Sequence, residues 1–404
     1  MGPTRHESMT IRARPLLHVA QISFFNDPQG RGPSQLLEAW ATLVDVAEAA
    51  SRSGVRVSVV QASAHSEHLQ RDGVGYYFLP FGERSGLADQ TAVRGLLRDL
   101  APDVFHVHGL SFPRDVLALA AHMPGIPIIL QDHASQLPPI WRRPSWRRGM
   151  SVAAGVAFCA AQQAWPFANA GLLNAQARVY EIPESTSRFA PGDRHEARRI
   201  TNTRGEPAIL WVGHLDANKD PLAVLDGVSA AVPALPRLQL ICCFGVAPLL
   251  RAVQERIASD SCLRERVTLL GRVPHERVEQ LMRAADIFVL GSHREGSGYS
   301  LIEALACGLP PVVTDIPSFR SLTAAGAVGA LWPCGDSRAL CEALRSVAAR
   351  ADGGMRAAVR AHFDRELSFA ALGAKLSAMY QDVVERKRRA ALATRPSTSE
   401  MQTS

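Results

Sequence analysis

Short apolar runs alternate with amphipathic stretches along this chain, in two series separated by one polar interruption, and that alternation leaves few folds open. Residues 16–22 are apolar, 35–51 repeat on a helical period, and 55–61 are apolar again. Residues 104–107, 115–122, 126–131, 152–159 and 179–182 continue the series, with Gly or Pro between most of them. After a polar stretch at 183–206, a second series places strands at 208–212, 238–244, 267–270, 287–290 and 311–314. Helices alternating with strands cover both faces of a parallel sheet, so the sequence predicts an α/β protein with two Rossmann-like halves facing one cleft. Ligands of such sheets bind beyond the carboxyl ends of the strands, which puts the loops after each strand into the cleft.

The length of 404 residues, 47% of them hydrophobic, is more than one core usually serves. The expected division is a flexible N-terminus at 1–15, a first domain at 16–185, a linker at 186–206 and a second domain at 207–365. A final helix at 366–390 and a disordered tail at 391–404, rich in Thr, Ser and Pro, complete it. No apolar run reaches the roughly 18 to 20 residues needed to span a bilayer, and residues 1–15 lack the apolar core of a secretory leader, so a cytoplasmic location is expected. Seven cysteines, mostly within apolar runs and without a C-x-x-C pair, read as buried thiols. The net charge of +6 comes with no zinc-finger spacing, basic zipper or aromatic RNA-binding signature, so no nucleic acid partner is expected.

The second half carries the densest signal. Residues 292–315 read as a loop with two glycines, a helix and a strand, directly after the strand at 287–290. Gly296 and Gly298 let a ligand approach the backbone, and a helix opening near Tyr299 or Ser300 offers unpaired N–H groups to a phosphate. Ser300-x-x-Glu303 has capping-box spacing, which needs no ligand. Alternatively, Glu295 and Glu303 grip the two ends of a sugar nucleotide. A second loop, 211–221, ends a strand with Gly213 and His214 and places Lys219 before a helix starting near Pro221. Only three lysines occur in the chain, and one just before a helix start suits a diphosphate.

In the first half, Gly30 and Gly32 follow the first strand, His106 and His108 end another, and Asp132 and His133 end a third. From His133 to Tyr180 there is no Asp or Glu, while Trp141, Arg142, Arg143, Trp146, Arg147 and Arg148 crowd a Pro-broken loop. That loop suits an anionic membrane surface or a lipid-diphosphate acceptor, or is simply a solvated arginine loop. There is no P-loop, no H-E-x-x-H and no Asp-x-Asp pair, so no metal or other cofactor is expected.

These residues resemble the retaining glycosyltransferases of family 4, which have the GT-B fold. Glu295 and Glu303 fit the family's E-x7-E motif, and residues 213–219 its glycine–basic–lysine donor loop. The resemblance implies that Glu295 contacts the donor sugar and Glu303 the ribose, while the backbone N–H groups of Gly298, Tyr299, Ser300 and Leu301 hold the diphosphate, with Gly296 and Ser297 part of the same donor site. Lys219 would neutralise phosphate, Arg272 and Val273 would lie beside the nucleobase, and His133 would sit near the donor sugar. Residues 107–109 and 30–34 would line the acceptor side. The final helix would cross back to the first domain. The chain departs from the family in having His214 where Arg is common, and Glu184 where an Asn-Gly turn is usual.

The implied function is metal-independent transfer, with retention, from a nucleotide-diphosphate sugar to a hydroxyl of a glycan, lipid-linked or small-molecule acceptor, by a cytoplasmic protein that binds peripherally at the membrane. The alternatives are a nucleotide-sugar epimerase or hydrolase, for which Asp132 is the first-half acid/base candidate, and a degenerate sugar-nucleotide-binding protein.

Overall fold

A computed structural model describes residues 16–80, 91–351 and 353–393. Two sheets carry the alternation. The first runs β3-β4-β2-β1-β5-β6-β7-β8, from β1 (His18–Ser23), β2 (Arg56–Ala62), β3 (Glu67–Arg71), β4 (Val74–Leu79), β5 (Val104–His108), β6 (Ile128–Gln131), β7 (Ala153–Phe158) and β8 (Arg178–Glu181). The second runs β11-β10-β9-β12-β13-β14, from β9 (Ala208–Val212), β10 (Gln239–Cys243), β11 (Val267–Gly271), β12 (Ile287–Leu290), β13 (Pro311–Thr314) and β14 (Ala330–Trp332). Every pairing is parallel except β3 with β4. Strands such as Ile287–Leu290 are buried throughout, as expected when helices cover both faces.

Several elements differ from the sequence reading. The helical period at 35–51 is divided between Pro33–Ala39 and Ala41–Arg52 by Trp40, whose φ of −111° and ψ of 65° are not helical. The break lets the Trp40 ring lie beside Phe25, with centroids 5.8 Å apart. The β3–β4 hairpin was not anticipated, although Asp72-Gly73, both at positive φ, is the dipeptide that tight hairpins favour. The polar stretch at 186–206 contains a helix, Arg194–Thr201, capped by Asp193 and anchored where Arg194 and Arg198 both meet Asp286. Charge periodicity masked it, because its outward face is almost wholly polar.

The segment with two Trp-Arg-Arg triplets is also a correction. It forms a single 3-10 turn, Ile140–Arg142, and the helix Arg143–Ser151 rather than a loop. Pro144 sits in the first turn of that helix, where a missing N–H costs nothing. Trp146 points inward, stacks on Phe167 and belongs to the first domain's core, so it cannot serve a membrane or acceptor surface. Trp141 is exposed.

Cys159, Cys242, Cys243 and Cys307 are buried thiols, whereas Cys334 is exposed. The final helix, Phe369–Ala393, extends beyond residue 390 and lies on Ala41–Arg52, so close at Gly373 that a Cβ would sit 2.2 Å from the Ala49 carbonyl oxygen. Its Tyr380 hydroxyl receives a hydrogen bond from Gln21 of β1. The expectations for residues 1–15 and for the tail from Thr394 lie outside the described residues. Among the described residues no helix is long and apolar enough to cross a membrane.

Candidate active site

The strand ends converge as open α/β sheets require. On the second domain, Val212, Cys243 and Gly271 end β9, β10 and β11 around a cavity of about 300 Å³. Gly213, His214, Lys219, Arg272, Val273, Glu295, Tyr299, Ser300 and Glu303 also line it, which brings most of the predicted donor residues together from three separate segments, after β9, β11 and β12. Lys219 reaches it because the chain turns sharply at Asp220, at φ 48°, which then caps the helix Pro221–Ala231. The Lys219 Nζ donates to Glu295 Oε1, both side chains largely withdrawn from solvent. His214 accepts from the Val246 N–H through Nδ1 (3.2 Å), which orients its ring at the cavity wall.

The helix Tyr299–Ala306 starts from Gly298, at φ 75°, a conformation that costs a residue with a Cβ about 1 kcal/mol or more. Space makes the requirement stricter, since a Cβ on Gly298 would lie 2.6 Å from the Phe319 ring. The N-cap being Gly298, Ser300 is already inside the first turn and no capping box forms. Glu303 instead accepts from His275 Nε2 (2.6 Å) on the cavity rim. That hydrogen bond holds the His275 pKa above its ordinary value, against the opposing effect of partial burial. Leu301 departs from its expected role, because its N–H donates to the Gly298 carbonyl (3.0 Å). The amides left open at this terminus are therefore those of Tyr299 and Ser300, with Gly298 preceding them.

On the first domain, Ser23, Gln61 and His108, at the ends of β1, β2 and β5, line a second cavity of about 580 Å³ together with Trp40, Phe112, His133 and Glu184. Gly30 and Gly32 shape the turn that leads into Pro33–Ala39, Gly30 at φ 62° and Gly32 as the helix N-cap, and neither is among the lining residues. Asp132 is buried and accepts from the Ser135 N–H (2.9 Å). Burial raises its pKa, with Ser135 opposing. It braces the turn that presents His133 and lines a neighbouring cavity with Glu295 and Arg294.

His133 is the centre of a polar chain. Its Nε2 lies 3.1 Å from His108 Nδ1 and its Nδ1 lies 2.7 Å from Glu184 Oε2. His106, behind His108, bonds Tyr380 through Nδ1 (2.8 Å). Burial drives His106 down to about 3 and His108 well below the usual histidine range, so both are neutral. Burial acts on His133 in the same direction, but the hydrogen bond and charge of Glu184 outweigh it and raise its pKa.

Glu184 was noticed in the sequence only as a departure from family pattern. In the structure it joins the halves: its N–H donates to Ser297 Oγ (2.9 Å) and its carboxylate accepts from the Tyr299 hydroxyl (3.2 Å). A Cβ on Gly296 would stand 1.6 Å from Glu184 Oε1, so glycine is what allows the two loops to meet. Gln163 was also missed. Its amide donates to the Glu295 and Gly296 carbonyls (2.8 and 3.2 Å), fixing the donor loop from the opposite domain.

Comparison with known proteins agrees with this geometry. Residues 193–360 match the family model "Glycosyl transferases group 1" and residues 39–164 match "Glycosyltransferase Family 4". A GDP-mannose:cellobiosyl-diphosphopolyprenol alpha-mannosyltransferase of Xanthomonas campestris is 24% identical over 74% of this chain and 77% of its own length. A 2-deoxystreptamine N-acetyl-D-glucosaminyltransferase of Streptomyces fradiae is 26% identical over 73% of each. Among solved structures, a sucrose-phosphate synthase from Thermosynechococcus elongatus overlays with a TM-score of 0.69 at 18% identity, covering 92% of this chain and all of that one. Anabaena HepE in complex with UDP and glucose gives 0.64 at 16%, covering 91% and all of that chain. With both halves matched in order and the fold shared throughout, the chain belongs to the group 1, family 4 glycosyltransferases and has the GT-B architecture.

Proposed function

We propose that this glycosyltransferase moves a sugar from a nucleotide-diphosphate sugar to an acceptor hydroxyl, with retention of anomeric configuration and without a metal ion. The observation that carries this is the Lys219–Glu295 pair, set beside the open N-terminus of Tyr299–Ala306 in one cavity with Glu303. Lys219 and Glu295 satisfy each other. A donor diphosphate would take Lys219 and the amides of Tyr299 and Ser300, releasing the Glu295 carboxylate to accept from sugar hydroxyls. Glu303 would exchange His275 for the ribose, and Arg272 and Val273 would flank the base. Charge building on the departing diphosphate would then meet an ammonium and a helix terminus already in place, where such groups are worth most.

Retention is supported by the state of the two carboxylates nearest the junction. Glu184 is held by His133 and Tyr299, and Glu295, once Lys219 turns to the diphosphate, would be taken up by sugar hydroxyls, so neither is left to act as a nucleophile or as a base on the acceptor. The acceptor hydroxyl would attack from the face the diphosphate leaves, and would give its proton to that diphosphate. The acceptor would lie in the first-domain cavity beside Trp40 and Phe112, which offer apolar ring faces to a glycan or small polyol. For a lipid-linked acceptor, exposed Ile140 and Trp141, next to Arg142, Arg143, Arg147 and Arg148, would rest on an anionic membrane surface.

The test is calorimetric titration with UDP, GDP and ADP, each with and without Mg²⁺, of wild type and Lys219→Ala. The Xanthomonas relative is named for GDP-mannose and HepE was solved with UDP, which is why both bases are in the panel. One nucleotide should bind equally well in EDTA and lose affinity in the variant. Binding only with Mg²⁺ would remove the metal-independent reading, and binding of none would remove the donor site.

A further inference from the structure

We infer that Glu184 is a positioning residue that acts through His133, holding it doubly protonated against the donor loop so that a sugar-bearing donor, and not the bare nucleotide, senses it. This rests on the donor-site reading above. Glu184 comes from the segment after β8, where the chain passes between domains, and its carboxylate is almost wholly buried. Its backbone N–H is bound by Ser297 and its carboxylate receives Tyr299 from the donor side and His133 from the acceptor side. One residue thus fixes the distance between the loop that contains Glu295 and the imidazole across the cleft.

The chemistry of the pair follows from its neighbours. The groups facing His133 are Glu184, Asp132 and His108, with His106 behind His108 and the Lys219–Glu295 pair beyond the donor loop. A carboxylate on Nδ1 demands a proton there. His108, neutral by burial, can accept from Nε2 through its Nδ1 at 3.1 Å, so the second proton also has a partner. His108 Nε2 is buried and without a hydrogen-bond partner. A hydroxyl entering between the rings would replace His108 as the acceptor for His133 Nε2–H. The nucleotide's own contacts, to Lys219, Arg272 and Glu303, lie in the other cavity and do not involve Glu184.

The experiment uses the full chain and compares Glu184→Gln with Tyr299→Phe and His133→Gln, measuring the affinities of the nucleoside diphosphate and of its sugar nucleotide, each against pH. Glu184→Gln keeps the shape and removes the charge. Sugar-nucleotide affinity should fall about tenfold while nucleoside-diphosphate affinity stays within about twofold, the loss expected for one charge-assisted hydrogen bond. Because Glu184 raises the His133 pKa, removing its charge should move the alkaline loss of sugar-nucleotide affinity to lower pH. Tyr299→Phe strips a competing donor from the carboxylate and should move that limb to higher pH, and His133→Gln should abolish it.

Unchanged limbs in both Glu184→Gln and Tyr299→Phe overturn the inference. Equal weakening of nucleotide and sugar nucleotide in Glu184→Gln also overturns it, as that is what a structural role gives. The His133 ring titration, followed by NMR in the unliganded protein, reads the pair even if no nucleotide binds. A wild type without nucleotide affinity, but with a His133 titration that drops in Glu184→Gln, would sink the donor-site reading and leave the Glu184–His133 coupling standing.

Discussion

Two carboxylate–cation pairs meet at the cleft, and they differ in how each is made. Lys219–Glu295 lies within the second domain, between loops that follow neighbouring strands β9 and β12, so folding of that sheet alone brings it together. His133–Glu184 joins the end of β6 to the segment leaving β8, and depends for its setting on Ser297 and Tyr299 of the other domain. The first is a local product of topology. The second has side-chain and backbone partners in both halves and so depends directly on their relative position, whereas the first has both its members in one domain and meets the other only through Gln163 at the Glu295 and Gly296 carbonyls.

The sharpest way to test that difference is to remove the first pair. Glu295→Ala or Lys219→Ala should lower kcat/KM by about 100-fold or more, the range seen when a preorganised charge is taken from a transition state, with far-UV CD and melting temperature near wild type. Transfer at the wild-type rate in Glu295→Ala would show that this pair is not at the reacting centre.

Gly296→Ala strikes the second pair from the donor side, since its Cβ would occupy the place of Glu184 Oε1. Transfer should fall about tenfold or more while nucleoside-diphosphate affinity holds, because the intrusion separates loops across the domains and leaves the Lys219 cavity intact. Equal loss of nucleotide binding would mean that the glycine serves the donor loop alone.

Trp146→Ala contrasts the two tryptophans of the arginine-rich segment. Emptying the stacked position against Phe167 should cost about 3–5 kcal/mol in denaturant unfolding, whereas Trp141→Ala should leave stability within about 0.5 kcal/mol. In a sedimentation assay with anionic vesicles, Trp141→Ala combined with alanine at Arg142, Arg143, Arg147 and Arg148 should reduce binding. Unchanged sedimentation would remove the membrane surface from the reading.

The smallest effect concerns Glu303. His275 has a raised pKa because Glu303 accepts from it, so the pair is fully formed below the ordinary histidine value and is lost as pH rises through the raised one. Nucleotide affinity should therefore increase about two- to threefold across that rise, as the ribose no longer competes with an exposed ion pair, and His275→Ala should abolish the increase. A wild-type affinity indifferent to pH there would place the ribose elsewhere.

The fold class was legible because buried parallel strands leave contiguous apolar runs and their covering helices leave a 3.6 period, which are local properties of sequence. The donor loop was legible for a related reason. Residues 213–219 and 295–303 are marked by glycines, a lysine and a helix start that are near neighbours in the chain. What the sequence could not show was pairing at a distance. Glu184 stands 51 residues after His133 and 113 before Ser297, and nothing in its neighbourhood marks it as buried or bonded. Trp141 and Trp146 have nearly identical flanks, yet only helical geometry turns the second into the core. Leu301 looked like an amide donor to phosphate until the first turn of its helix closed on Gly298. Sequence by itself determined the parallel-stranded core of the two sheets and the glycine–lysine–glutamate motif, because those are written in periodicity and short spacing, while the β3–β4 hairpin and β14 at the sheet edges were not read. Only the tertiary structure decided which polar groups satisfy one another across the cleft, because buried charge seeks a partner wherever the fold supplies one.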